Sequence, residues 1–118
     1  MPKGVLQQGS IVFVSNLPDE RGENLKTRRV VVVTPTEEIG NGELISVVAI
    51  TSRIDLVPPD KRVKLRSRQP NGHPSTSLNK ESVAACHWQD SIPEAERQDI
   101  RGKCNTFELE QILERICS

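Results

Sequence analysis

The sequence predicts a mainly β fold with one helix: a small, coiled antiparallel β-barrel with a C-terminal amphipathic helix packed on it. Three observations lead there. Short β-branched runs recur through the first three quarters of the chain, separated by clusters of Gly, Pro and Asn. Helical periodicity is strong only at the end, where Leu109, Ile112, Leu113 and Ile116 fall at i, i+3, i+4 and i+7. No internal repeat and no long linker divides the 118 residues, so a single domain over 1–118 is expected.

Ser10–Val14 reads as a first strand, bounded by Gly9 and an expected turn at Asn16–Pro18. The charged stretch from Pro18 to Asn24 is too polar for a core and reads as a loop. Val30–Val33 forms a second strand and, after the Thr34–Thr36 and Gly40–Gly42 breaks, Leu44–Thr51 a third. Pro58-Pro59-Asp60 is a turn. Lys61–Arg66 then alternates charged and apolar residues, as a half-buried strand does. Residues 69–75 carry loop signals throughout, and Ser82–Cys86 reads as a fifth strand. Pro93 is expected to start a short helical turn reaching about Arg97. Asn105 followed by Glu108 has the spacing of a capping box for the final helix, with Thr106 as a rival cap.

Composition narrows the function. Lys and Arg total 16, Asp and Glu total 16, so the net charge is zero and any nucleic-acid site must be local. Phe13, Trp88 and Phe107 are the only aromatics, too few for a base-stacking sheet face. No apolar run approaches the roughly 20 residues of a membrane span, and the start has no signal-peptide core, so a soluble, cytoplasmic protein without membrane contact is expected. Cys86, Cys104 and Cys117 are odd in number and lack CxxC spacing, which argues against a disulfide framework or a zinc site; no cofactor or metal is expected. Cys86 continues an apolar run and reads as a core residue.

Two segments carry the most chemistry. Lys26-Thr27-Arg28-Arg29 precedes the valine run 30–33, and Thr51-Ser52 follows the run 47–50. A guanidinium forks onto phosphate oxygens and a hydroxyl can donate to a third, so two strands ending near one another could hold a phosphodiester.

The order of these segments resembles the MazF/PemK-like toxins of bacterial toxin–antitoxin pairs, from about Gly9 to Ile116. Gly9-Ser10-Ile11-Val12-Phe13-Val14 matches the family's opening strand, and Arg21-Gly22-Glu23-Asn24 its Gly-containing polar loop. Arg28-Arg29-Val30-Val31-Val32-Val33 matches its Arg-Pro and valine strand, with Arg29 in place of proline. Ala49-Ile50-Thr51-Ser52 matches a strand ending in Thr and Ser or Thr, and Leu78-Asn79-Lys80-Glu81-Ser82-Val83 a later Leu-to-Ser-Val segment. His87 and Trp88 stand where the family has an acidic residue and a glutamine.

The resemblance implies an SH3-like barrel over about 9–116 that dimerises and cuts single-stranded RNA without a metal. The ribose 2′-OH attacks the adjacent phosphorus, giving 2′,3′-cyclic phosphate and 5′-OH ends. It implies Arg28 and Thr51 as the catalytic pair, Arg28 binding phosphate oxygens and Thr51 donating to the developing charge. Lys26, Arg29, Ser52 and Arg53 flank that pair as RNA-binding candidates. Ser52 would face the other way if its strand continued, and Arg53 would return to the Thr51 face. Arg21 and Gly22 belong to a loop that closes over RNA in relatives.

Alternation places Lys64, Arg66 and Arg68 on one side as a positive stripe, able to attract RNA phosphates or an acidic antitoxin tail. His73 and His87 match no catalytic position, and Trp88 reads as a core or interface anchor. The alternative reading is a non-catalytic member of the same fold acting by protein binding, either a gyrase-poison-like toxin or a degenerate interaction module.

Overall fold

Valine-rich runs with no alternation are what strands covered on both faces require, and that is how the centre of this sheet is built. The computed structural model describes residues 6–18, 25–39, 44–69, 71–93 and 97–116. Its strands are β1 (Ser10–Pro18), β2 (Leu25–Val32), β3 (Leu44–Thr51), β4 (Arg62–Leu65), β5 (Ser82–Pro93) and β6 (Arg97–Lys103), followed by helix α1 (Thr106–Ile116). All pairings are antiparallel, in one sheet of order β4-β5-β3-β2-β1-β6.

Bulges curl this sheet into a half-barrel, because an extra residue in one strand bends it and increases its twist. The β1–β6 register shifts twice, between Ile11 and Val12 and between Phe13 and Val14. In β5 the step is larger: Val48 lies opposite Gln89 and Ala49 opposite Ala85, so Cys86, His87 and Trp88 have no counterpart in β3.

The inner core joins Ile11, Val31, Val48, Val63, Leu65 and Ala84 to Ile112 of α1, with Leu109 and Ile116 packed against it. The other face buries Val12, Val14, Val30, Val32, Ile45, Val47 and Ile92. The helix starts with a complete capping box. The Glu108 amide donates to Asn105 Oδ1 at 2.7 Å, and the Asn105 amide donates to Glu108 Oε1 at 2.9 Å. Asn105, not Thr106, is therefore the cap.

The segment after β4 spans from one sheet edge to the other. Thr76 donates its hydroxyl to the Arg66 carbonyl at 2.6 Å, and the Lys103 amide of β6 donates to the Ser75 carbonyl at 2.8 Å. A Cβ on Gly102 would lie 2.5 Å from the Ser75 oxygen, so only glycine permits this approach.

Several boundaries differ from expectation. The expected turn at Asn16–Pro18 is strand, with Pro18 opposite Leu25, and β2 begins five residues before Val30. Both extensions belong to a two-stranded ribbon, where polar residues cost little. β5 runs on to Pro93, where a helical turn was expected, and Arg97 opens a sixth strand; residues 94–96 lie outside the described part. β6 was missed because an edge strand needs little apolar pattern, and charge on it discourages edge-to-edge pairing.

Candidate active-site groove

The β2–β3 ladder ends at Val30 opposite Ala49. Beyond that point each strand continues with its other neighbour. Arg29 and Arg28 of β2 pair with Phe13 and Val14 of β1, while Ile50 and Thr51 of β3 pair with Ala84 and Val83 of β5. The sheet therefore divides into two ribbons, β1–β2 and β3–β5. Counting on in the same register brings Arg28 level with Thr51, one on each side of the division.

A groove of about 540 Å³ opens there. It is lined from one ribbon by Phe13, Arg28 and Arg29, and from the other by Ile50 to Arg53; Leu78, Asn79, Lys80 and Ser82 complete it. Among the described residues Arg28, Arg29, Arg53 and Lys80 are its ionisable members, so every charge they bring to it is positive. A low-dielectric floor of Ile50 and Leu78 beneath such a cluster concentrates anion attraction that a net charge of zero would not reveal.

Each arginine at the division rests on a ring. The Arg28 guanidinium carbon lies 4.8 Å from the Trp88 centroid, and that of Arg29 lies 5.0 Å from the Phe13 centroid. Both distances are within cation–π range. The Nε atoms of Arg28 and Arg29 are buried and have no hydrogen-bond partner among the described residues. Thr51 is half-buried at the end of β3, and its Oγ1 accepts the Arg53 amide at 3.0 Å. That bond uses the oxygen as acceptor and leaves the hydroxyl proton to be donated elsewhere.

The structure thus brings together Arg28, Arg29, Thr51, Ser52 and Arg53. Ser52 reaches the groove with Thr51 because β3 stops at Thr51 and strand alternation stops with it. Lys26 is in β2 opposite Leu17, and its side chain lies outside the described part, as does Arg21.

Lys64 and Arg66 are not among the lining residues. Lys64 pairs with Glu81 at 3.5 Å on the surface. Arg66 lies past the end of β4, and both its guanidinium and its amide bind Glu108, a carboxylate only 4% exposed. The alternating pattern could not reveal that partner, because Glu108 is 42 residues away.

Phe13, Asn79, Lys80 and Ser82 are groove residues that sequence reasoning missed. Phe13 is placed by its register opposite Arg29, Asn79 and Lys80 by the loop that leads into β5, and Ser82 by its place at the start of β5. Neither placement has a local signal.

The remaining nucleophiles lie elsewhere. Cys86 is buried and its thiol is raised from 9.0 to about 11, chiefly by desolvation. Cys104 is likewise raised to about 12, first by burial and then by the Glu108 charge. Both are inert core thiols. His73 Nδ1 accepts the Ser75 amide at 3.0 Å within its own loop. Among the described residues no helix is long and apolar enough to cross a membrane.

The sequence from residue 7 to residue 118 matches the family described as the PemK-like, MazF-like toxin of type II toxin–antitoxin systems. The chain belongs to this family. Solved MazF structures share the fold. MazF from Deinococcus radiodurans is 17% identical with a TM-score of 0.73, over 97% of this chain and 94% of that one. A MazE–MazF structure from the same organism gives 17% and 0.70 over the same shares. An endoribonuclease from a mycobacterial species is 11% identical with a TM-score of 0.69, over 99% of this chain and 92% of that one. No curated protein sequence matches the chain significantly. The six-stranded curled sheet with one C-terminal helix is thus the MazF-like fold.

Proposed function

We propose that this chain is the toxin of a type II pair and acts as a metal-independent endoribonuclease on single-stranded RNA. The observation that carries the reading is the convergence of Arg28 and Thr51 across the division in the sheet, in a groove whose charges among the described residues are all positive. A similar fold occurs in an endoribonuclease, and a MazE–MazF structure supports an antitoxin as the physiological inhibitor.

The ribose 2′-OH is the nucleophile and the phosphorus its target. The 2′-OH gives up its proton to water as the 2′-oxygen bonds to phosphorus, and the 5′-oxygen takes a proton from water as its own bond breaks, which leaves a 2′,3′-cyclic phosphate and a 5′-OH. Arg28 holds the non-bridging oxygens through its in-plane donors. Thr51, its oxygen fixed by the Arg53 amide, donates its proton to the same phosphate as negative charge builds. Arg29, Arg53 and Lys80 hold the neighbouring phosphates and fix the reacting one between the ribbons. Among the described residues that line the groove there is no His, Cys, Asp or Glu, so these residues offer no metal-ligand set.

The test is incubation of the purified chain with single-stranded RNA, with and without EDTA. Cleavage unaffected by the chelator, with 2′,3′-cyclic phosphate ends, is expected. Fragments ending in a 3′-hydroxyl, or cutting abolished by EDTA, would overturn the mechanism.

A further inference from the structure

We propose that Trp88 is the positioning residue for Arg28: its indole holds the guanidinium in the groove and leaves the terminal N–H groups for a phosphodiester. The inference rests on the nuclease reading above and adds to it the device that aims the phosphate clamp.

Trp88 closes the three-residue bulge of β5, and Gln89 ties that bulge shut by donating its side-chain amide to the Cys86 carbonyl at 3.1 Å. The ring packs on a small cluster of Val57, Val83 and Ala85, with Ile54 beside it. Val83 is also the cross-strand partner of Thr51. One apolar unit therefore supports both members of the catalytic pair, Thr51 through the ladder and Arg28 through the indole 4.8 Å away.

The choice of partner has a chemical consequence. A carboxylate beside Arg28 would occupy two of its five N–H donors and cancel the charge that attracts RNA. A ring uses only the guanidinium face, so charge and donors both survive. The buried, unpartnered Nε of Arg28 fits an arginine held by its face.

Trp88 is the only tryptophan in the chain, so its emission reports on this contact alone. Two measurements test the proposal. In the first, Trp88→Leu keeps an apolar side chain over Val57, Val83 and Ala85 but removes the π face, while Trp88→Phe retains it. Cleavage kcat should fall roughly ten-fold in the leucine variant and stay within about three-fold in the phenylalanine variant, with KM less affected. In the second, an oligonucleotide made uncleavable by a 2′-deoxy substitution is titrated into the wild-type chain and into Arg28→Ala. With each protein brought to the same bound fraction, measured separately by the anisotropy of a labelled oligonucleotide, tryptophan emission should change in the first protein and not in the second.

Wild-type cleavage matched by Trp88→Leu, or an equal loss in both Trp88 variants, overturns the proposal. So does an emission response that is absent in wild type or unaltered by Arg28→Ala. Absence of cleavage by the wild-type chain overturns the nuclease reading instead, and the emission titration still decides whether Arg28 is aimed from Trp88. That titration also decides if the leucine variant does not fold.

Discussion

Thr51 has one hydrogen bond coming in and one proton to give, and that asymmetry can be tested. Thr51→Val keeps the branched shape and the strand preference but deletes the donor. Its cleavage should fall by a factor on the order of 10²–10³, the loss expected for one preorganised donor at a developing charge. Thr51→Ser should recover most of it, because its hydroxyl can take the same Arg53 amide bond. Arg28→Ala should lose as much as the valine variant; both are read in single-turnover cleavage, with circular dichroism as the check on folding. Arg28 and Thr51 drew attention as polar residues at the ends of two apolar runs, and the expectation that they act as a pair came from the order of segments shared with a known family. Position alone would have left a surface arginine and an ordinary strand threonine. Arg66 shows the opposite case, since its alternation with Leu65 suggested a solvent-facing stripe and the structure turns it to Glu108.

At the scale of elements, the final helix and the central strands were read well, while the Asn16–Pro18 turn, the helical turn at Pro93 and the paired ribbons were not. The helix and its cap were visible because both signals are local, an apolar face and an Asn-to-Glu spacing of three. Asn105→Ala removes one half of that box and should cost about 1 kcal/mol in urea denaturation. β6 and the outer part of the β1–β2 ribbon escaped notice because their stability comes from pairing with a neighbour, and pairing leaves no period in a sequence. Gly102 in β6 is the clearest instance. Gly102→Ala would force its methyl into the Ser75 carbonyl and the Thr76 backbone. We expect a loss of roughly 1–3 kcal/mol, typical of overpacking at a tight contact. An unchanged urea midpoint would show that the segment after β4 yields freely.

For the molecule as a whole, a net charge of zero hides a division of labour. Acidic residues neutralise Lys64 and Arg66 away from the groove, while the charges that the described residues bring to the groove are all cationic. RNA binding should therefore weaken steeply with salt, as screening within about 10 Å at 0.1 M reduces surface attraction. An acidic antitoxin tail that occupies the groove should show the same salt dependence and exclude RNA. The family resemblance also leads us to expect a two-fold dimer, seen in light scattering as twice the 13.2 kDa chain mass. Stability should be insensitive to the two core thiols below about pH 9. Their folded-state values, about 11 for Cys86 and about 12 for Cys104, exceed the ordinary 9.0, so the unfolded chain loses these protons first. Stability should then decline as pH rises from about 9 towards 11 and 12, and Cys86→Ala should reduce that slope in urea titrations at alkaline pH.

Strands joined by a ladder can be separated only by breaking hydrogen bonds along it. Across the division between β2 and β3 there is no ladder to break, because their pairing stops at Val30 and Ala49 while each strand runs on beside its other neighbour. We therefore expect the two halves of the groove to work as jaws, with Arg28 on one and Thr51 on the other and the end of the ladder at Val30 and Ala49 as their hinge. A small rotation about that hinge changes the width of the bite while both ribbons stay intact. A partner that wedges the jaws open would silence the pair without touching either side chain, and one that draws them together would tighten their hold on the same phosphate.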